Sequence, residues 1–187
     1  QRAGLAKYSS ARIADGQVQE LGHVVARAVP TGQSSLSHRT IVSYVVTNGT
    51  VAQLMTSAAT TATSGSSALS TTAPVIFSAQ LDGVVYFADG ANTKKWTAST
   101  NTVATWSATA GSLPASGSDK PRLIETWRGR IVQSGLKGDE HNWFMSKMRD
   151  AGNWDYSPST ATAVQAVAGN QQDAGKSPDI INGMIPF

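Results

Sequence analysis

The apolar positions of this chain fall in short alternating runs broken by glycine-centred turns, and no amphipathic helical stretch of respectable length stands out. The clearest series opens with the β-rich run Pro74-Val-Ile-Phe-Ser78 and the turn Leu81-Asp82-Gly83. Val84-Val-Tyr-Phe-Ala88 follows, then the turn Asp89-Gly90-Ala91-Asn92, the run Lys95-Trp96-Thr97 and a fourth run over Thr102–Trp106. Asp-Gly between β-branched or aromatic runs predicts a hairpin, because both central turn positions favour positive φ. Four tightly connected runs read as one antiparallel meander.

The plan recurs. Arg122-Leu-Ile-Glu-Thr-Trp127 is a predicted strand, Arg128-Gly129 its turn and Arg130-Ile-Val-Gln-Ser134 the return, with a loop from Gly135 to His141 leading to Asn142-Trp-Phe-Met-Ser146. Gly83 and Gly129 stand 46 positions apart, and Trp96 and Trp143 stand 47 apart, so the hairpins align with one insertion. An earlier copy runs through Thr40–Val46, the turn Thr47-Asn48-Gly49 and Thr50–Leu54, and a further copy is expected to begin at Ile180 and be cut off at Phe187. Sheet units repeated every 40–50 or so residues are the footprint of propeller blades. A β-sandwich also strings hairpins together, but repeated aromatic positions favour stacked equivalent units. The expected fold is therefore all-β, a propeller of four-stranded antiparallel blades and an incomplete segment of a longer chain. An opening segment with the first strands would occupy 1–38, and blades would cover about 39–55, 74–107 and 121–168, with a start at 179–187. The Ser/Thr-rich stretch 56–73 and the Ser/Ala/Gly/Pro stretch 107–119 are expected to be exposed connections.

Composition narrows the chemistry. Only 14% of the 187 residues are charged, which argues against solvated disorder, and no run approaches the length of a membrane span. With no cysteine there are no disulfides, thiolate nucleophiles or thiolate metal sites. The net charge of +3 predicts no partner by itself. Its distribution says more: residues 120–149 carry Lys120, Arg122, Arg128, Arg130, Lys137, Lys147 and Arg149 against Glu125, Asp139 and Glu140.

Catalytic signatures are scarce. His23, His38 and His141 are scattered without metal-ligand spacing, Asp139-Glu140-His141 reads as a solvated turn, and neither a nucleophile elbow nor a phosphate-binding glycine loop occurs. The reading is a protein that is not an enzyme, with no cofactor and no metal. Ser146-Lys-Met-Arg-Asp150-Ala-Gly152-Asn-Trp154 resembles the Asp-box turn of sialidases and related propellers, although its Ser-to-Asp gap is too long and a single residue separates Gly152 from Trp154. In that family the box is structural. The tryptophans Trp96, Trp106, Trp127, Trp143 and Trp154 fall mostly on strands and read as packing between repeats, with sugar stacking as the alternative.

Val85-Tyr-Phe-Ala-Asp-Gly90, Trp127-Arg-Gly-Arg-Ile-Val132, His141-Asn-Trp-Phe-Met-Ser146, Asp150–Tyr156 and Ser177–Phe187 together resemble β-propeller virion proteins of short-tailed bacteriophages, of the tail-nozzle and packaged-DNA-stabilisation, head-closure type. Arg2-Ala-Gly-Leu-Ala-Lys-Tyr8 is similar to the segment that opens such proteins. The resemblance covers more than half of the chain and leaves the Ser/Thr-rich middle unmatched. It implies a structural part of a phage tail, located in the virion, that assembles as a cyclic homo-oligomer beside other tail or portal-proximal proteins and helps conduct or retain the genome. It implies no membrane partner. Non-specific contact with the DNA backbone would fall to Arg122, Arg128, Arg130, Lys147 and Arg149. The alternative is a glycan-binding propeller module of a host-recognition protein, which solvent-accessible Trp96 or Trp143 would favour. A glycan-cleaving propeller would need convergent carboxylates, which the sequence does not display.

Overall fold

A computed structural model describes residues 18–28, 38–54, 59–61, 63–64, 69–171 and 179–185. The opening segment 2–8 and parts of the Ser/Thr-rich and C-terminal stretches lie outside the described residues. Every regular element among those described is a β-strand. Strands β1 (Val18–Ala28), β2 (His38–Thr47), β3 (Thr50–Leu54) and β4 (Ala59–Thr61) form a first antiparallel meander. The second sheet is the meander β6 (Phe77–Leu81), β7 (Val84–Ala88), β8 (Thr93–Thr97) and β9 (Thr102–Thr105), with β5 (Thr63–Ser64) added parallel to the outer edge of β9. A third sheet orders β11 (Leu123–Trp127), β12 (Arg130–Leu136), β13 (Asp139–Met145) and β15 (Val167–Asn170). Between the second and third sheets, β10 (Ala110–Gly111) pairs in parallel with β14 (Asn153–Trp154).

The hairpin turns follow from local chemistry. Asn48-Gly49, Asp82-Gly83 and Arg128-Gly129 each place two consecutive residues at positive φ, between +47° and +80°, the backbone that matches the twist of the flanking strands. Asn and Asp tolerate that region well; Arg128 does not, and it is held there by its hairpin.

Alternation decides which side chains meet. On β7, Val85 and Phe87 face the first sheet and join Val24, Tyr44, Val46, Val51, Leu69, Ile76, Trp96 and Val103 in one core. Tyr86 and Ala88 face the third sheet and join Ala79, Leu81, Trp106, Ile124, Ile131 and Trp154 in a second. The middle sheet is thus buried on both faces. Aromatic edges fit the cores together: Tyr44 lies 5.2 Å from Trp96, and Trp106 lies 4.6 Å from Tyr86 and 5.8 Å from Trp154.

Several expectations are corrected. The run expected at Pro74–Ser78 becomes strand only at Phe77, because the Ile76 N–H goes to the Gln19 carbonyl at 3.1 Å and its side chain plugs the first core. The loop expected over Gly135–His141 is a tight turn at Lys137-Gly138 between longer strands, and Gly135, at φ +73°, sits in a bulge that shifts the register between Ser134 and Leu136. Asp139-Glu140-His141 therefore begins β13 rather than forming a solvated turn. The Ser/Thr-rich stretch supplies β4 and β5 to the edges of two sheets and buries Leu69, since threonine fits a pleated edge. At 179–185 no strand forms.

Trp96 and Trp143 are not equivalent either. Trp96 pairs with Val85 and faces the first sheet, whereas Trp143 pairs with Ser134 beyond the longer hairpin and points away from the second sheet, with its neighbour Phe144 facing the core. Trp143 packs over Gly169, where no Cβ would fit.

Candidate functional site

The first strands of the three meanders come together. Ile76 N–H to Gln19 O, Ser78 Oγ to Glu20 and the Thr126 hydroxyl to Gln80 O at 2.7 Å tie β1 to β6 and β6 to β11. Between them lies a cleft of roughly 410 Å³ lined by Leu21, Gly22, His23, Tyr44, Ser78, Ala79, Gln80, Val85, Glu125 and Thr126. No lysine or arginine is among these lining residues.

A hydrogen-bonded chain borders this cleft through Tyr44 and Ser78. Ser78 Oγ donates to Glu20 Oε1 at 2.9 Å, so its single hydrogen is committed and the Tyr44 hydroxyl must be the donor at the 2.6 Å contact with Ser78 Oγ. Burial pushes the Glu20 carboxyl above its usual range, with the Ser78 hydroxyl acting in the opposite direction. Burial likewise pushes the Tyr44 phenol up strongly, and the Glu20 charge adds to it. A carboxyl whose pKa is higher folded than unfolded stabilises the fold fully below the unfolded value of about 4.3 and loses that contribution as pH rises through the folded value. Wild type should therefore lose stability relative to Glu20→Gln as pH is raised from about 4 to about 7. Urea midpoints of the two proteins across that window test it, and a constant difference would refute the assignment.

The five basic residues singled out in the sequence do not form one surface. Arg128 and Arg149 are exposed and come together, because the Arg149 N–H donates to the Gly129 carbonyl at 2.6 Å and brings two turns into contact. Both stand at positive φ, +47° and +58°, and the Arg128 guanidinium lies 4.7 Å from the centre of the Trp127 ring. Lys147 belongs to the same turn as Arg149, and its backbone carbonyl accepts the Asp150 N–H at 3.1 Å. Arg122 is exposed at the opposite end of β11, beside Gly135 and near Glu140. The backbone amides of Gly138 and Glu140, chiefly, and then Arg122 and His141 hold the Glu140 carboxyl below its usual range.

Arg130 is internal, only 6% exposed. Its guanidinium donates to the carbonyls of Ser146 at 2.7 Å, Gln165 at 2.6 Å and Ala163 at 3.3 Å, tying β12 to the connection that leads into β15. Ser146 Oγ also accepts from the Ile131 N–H. This use was hidden in the sequence, where Arg128 and Arg130 read alike; Arg128 stands in the hairpin turn at positive φ and meets solvent, whereas Arg130 is the first residue of β12 and is buried.

The turn that resembles an Asp box is a packing device here. Asp150 accepts the Gly152 N–H at 2.9 Å, and the Ala151 carbonyl accepts both indole N–H groups, from Trp154 at 2.8 Å and Trp106 at 3.0 Å. Asp89 plays a like part, accepting from Ser70, Ala91 and Asn92. Among the described residues no three His, Asp or Glu side chains gather as a metal site, and no helix is long and apolar enough to cross a membrane. No protein-family model matches the chain, and neither a curated protein nor a solved structure matches it.

Proposed function

We propose that this chain is a sector of a β-propeller that serves as a rigid structural part of a phage tail ring, contacting the genome through its phosphates. The observation that carries the propeller half is a middle sheet buried on both faces between two like sheets, with the three first strands running side by side. A two-sheet sandwich leaves the outer face of each sheet to solvent, whereas equivalent sheets stacked about an axis bury both. The tail assignment rests on the motif resemblance, and the structural use of Asp150, Asp89, Arg130 and the buried tryptophans is in keeping with an assembly part. Of the two tryptophans on which the glycan-binding alternative drew, Trp96 is wholly buried and Trp143 is half-buried, packed over Gly169.

On this reading, DNA contact falls to the exposed Arg128 and Arg149 with Lys147, while Arg130 takes no part. Phosphate neutralisation releases counterions, so the double variant Arg128→Gln/Arg149→Gln should bind duplex DNA more weakly, with a salt slope shallower by about 1 for each phosphate left without its arginine. Anisotropy titrations over a range of salt measure this; an unchanged slope would rule the pair out. Cryo-electron microscopy of the particle carrying this chain tests the larger reading. Density in a cyclic ring around a DNA-wide channel is the expected result, and a position at a fibre tip would replace it with host recognition.

A further inference from the structure

We infer that Asn182 is a site of spontaneous deamidation, and that the chain's other Asn-Gly pair, Asn48-Gly49, is kept unreactive by the side chain of Gln19. Neither half of this depends on the tail reading.

The two pairs share a sequence and differ in everything around it. In this reaction the backbone nitrogen after the asparagine loses its proton to solvent base and attacks the side-chain carbonyl carbon. A nitrogen–carbon bond forms, the amide nitrogen leaves as ammonia, and a five-membered succinimide results. Water then opens either carbonyl, leaving aspartate or isoaspartate. Glycine in the second position favours the attack because no Cβ shields its nitrogen.

At Asn182-Gly183 nothing among the described residues opposes it. Both residues are exposed, the pair lies in irregular backbone, and the space around Gly183 is open. At Asn48-Gly49 three features oppose it. Gly49 is buried, its N–H donates to Gln19 Oε1 at 2.6 Å, and its φ of +72° is fixed by the hairpin. The Gln19 amide cannot turn away, because its Nε2 donates to the carbonyls of Ser70 at 2.9 Å and Ala73 at 2.6 Å. The attacking nitrogen is thus withheld unless this part of the structure opens first.

The position of Asn182 gives the reaction a structural effect. On one side, the Ile181 N–H donates to the Glu140 carbonyl at 3.0 Å. On the other, Met184 and Ile185 line a hollow of roughly 230 Å³ with Trp127, Val132 and Met145 on the third sheet. Isoaspartate inserts one extra main-chain carbon between these two anchors and adds a carboxylate, so the product should loosen Met184 and Ile185 from the sheet.

The test is peptide mapping by mass spectrometry, with isoaspartate detection, of the purified chain aged in warm neutral buffer. Folded protein should convert Asn182 to aspartate and isoaspartate, with Asn48 slower by about tenfold or more. In urea the two should react at similar rates. Aged protein should also show faster amide exchange over 181–185. Equal rates in the folded chain, or Asn182 as slow folded as Asn48, would overturn the assignment. In Gln19→Leu the Asn48 rate should rise toward its unfolded value; a folded variant with no rise would overturn the role of Gln19. Should that variant not fold, the folded-to-urea ratio at Asn48 in wild type still decides the protection.

Discussion

Trp96→Ala is expected to cost about 3–5 kcal/mol, the range for removing a large aromatic from a closed core. Trp96 is 0% exposed, packs against Tyr44 across the gap between the first and second sheets, and donates its indole N–H to Asn101 at 3.1 Å. Its loss leaves a cavity bounded by two sheets whose backbones are fixed by their own ladders, so collapse can recover little. A domain of this size has about 5–15 kcal/mol of total stability, and the variant would use up much of it. Urea unfolding followed by the remaining tryptophans measures the effect. A loss under about 1 kcal/mol would mean that the first and second sheets do not share a core.

Arg130→Ala should cost about 3 kcal/mol, since hydrogen bonds to a charged group contribute about 1.5–3 kcal/mol each and three carbonyls acting as a unit do not add fully. The carbonyls of Ser146, Ala163 and Gln165 would lose their donor together, and the connection from β13 to β15 would detach at that point. Lysine cannot replace the fork, because a single ammonium does not present several donors in one plane. Arg128→Ala, by contrast, removes an exposed side chain and should stay within about 0.5 kcal/mol of wild type. The comparison also separates roles: a stable Arg130→Ala protein with weakened DNA binding would show the guanidinium turned outward.

The hairpins were legible in the sequence because their determinants are local. Asn48-Gly49, Asp82-Gly83 and Arg128-Gly129 all form turns where expected, and Val84–Ala88 and Thr50–Leu54 are strands with those bounds. Register was not legible. The bulge at Gly135 and the longer β12–β13 hairpin broke the 47-residue alignment of Trp96 with Trp143, and a one-residue change of register exchanges the two faces of a strand. The candidate site fared likewise. Residues 120–149 are basic as a string, yet their strand positions send Arg130 inward, Arg122 to one end of β11 and Arg128 with Arg149 to the other. Nor did any spacing point to the chain from Tyr44 through Ser78 to Glu20, whose members come from three strands of two sheets.

Period-two apolar runs, β-branched composition and turns needing positive φ were enough, by themselves, to determine an all-β chain of successive hairpins, since each acts over two to five residues. Which face of each strand is buried, which sheets share a core and which charges meet solvent were decided by tertiary structure alone. Those outcomes depend on register and on stacking between sheets distant in sequence, and the free energy that selects them comes from apolar surface buried only once the sheets have met.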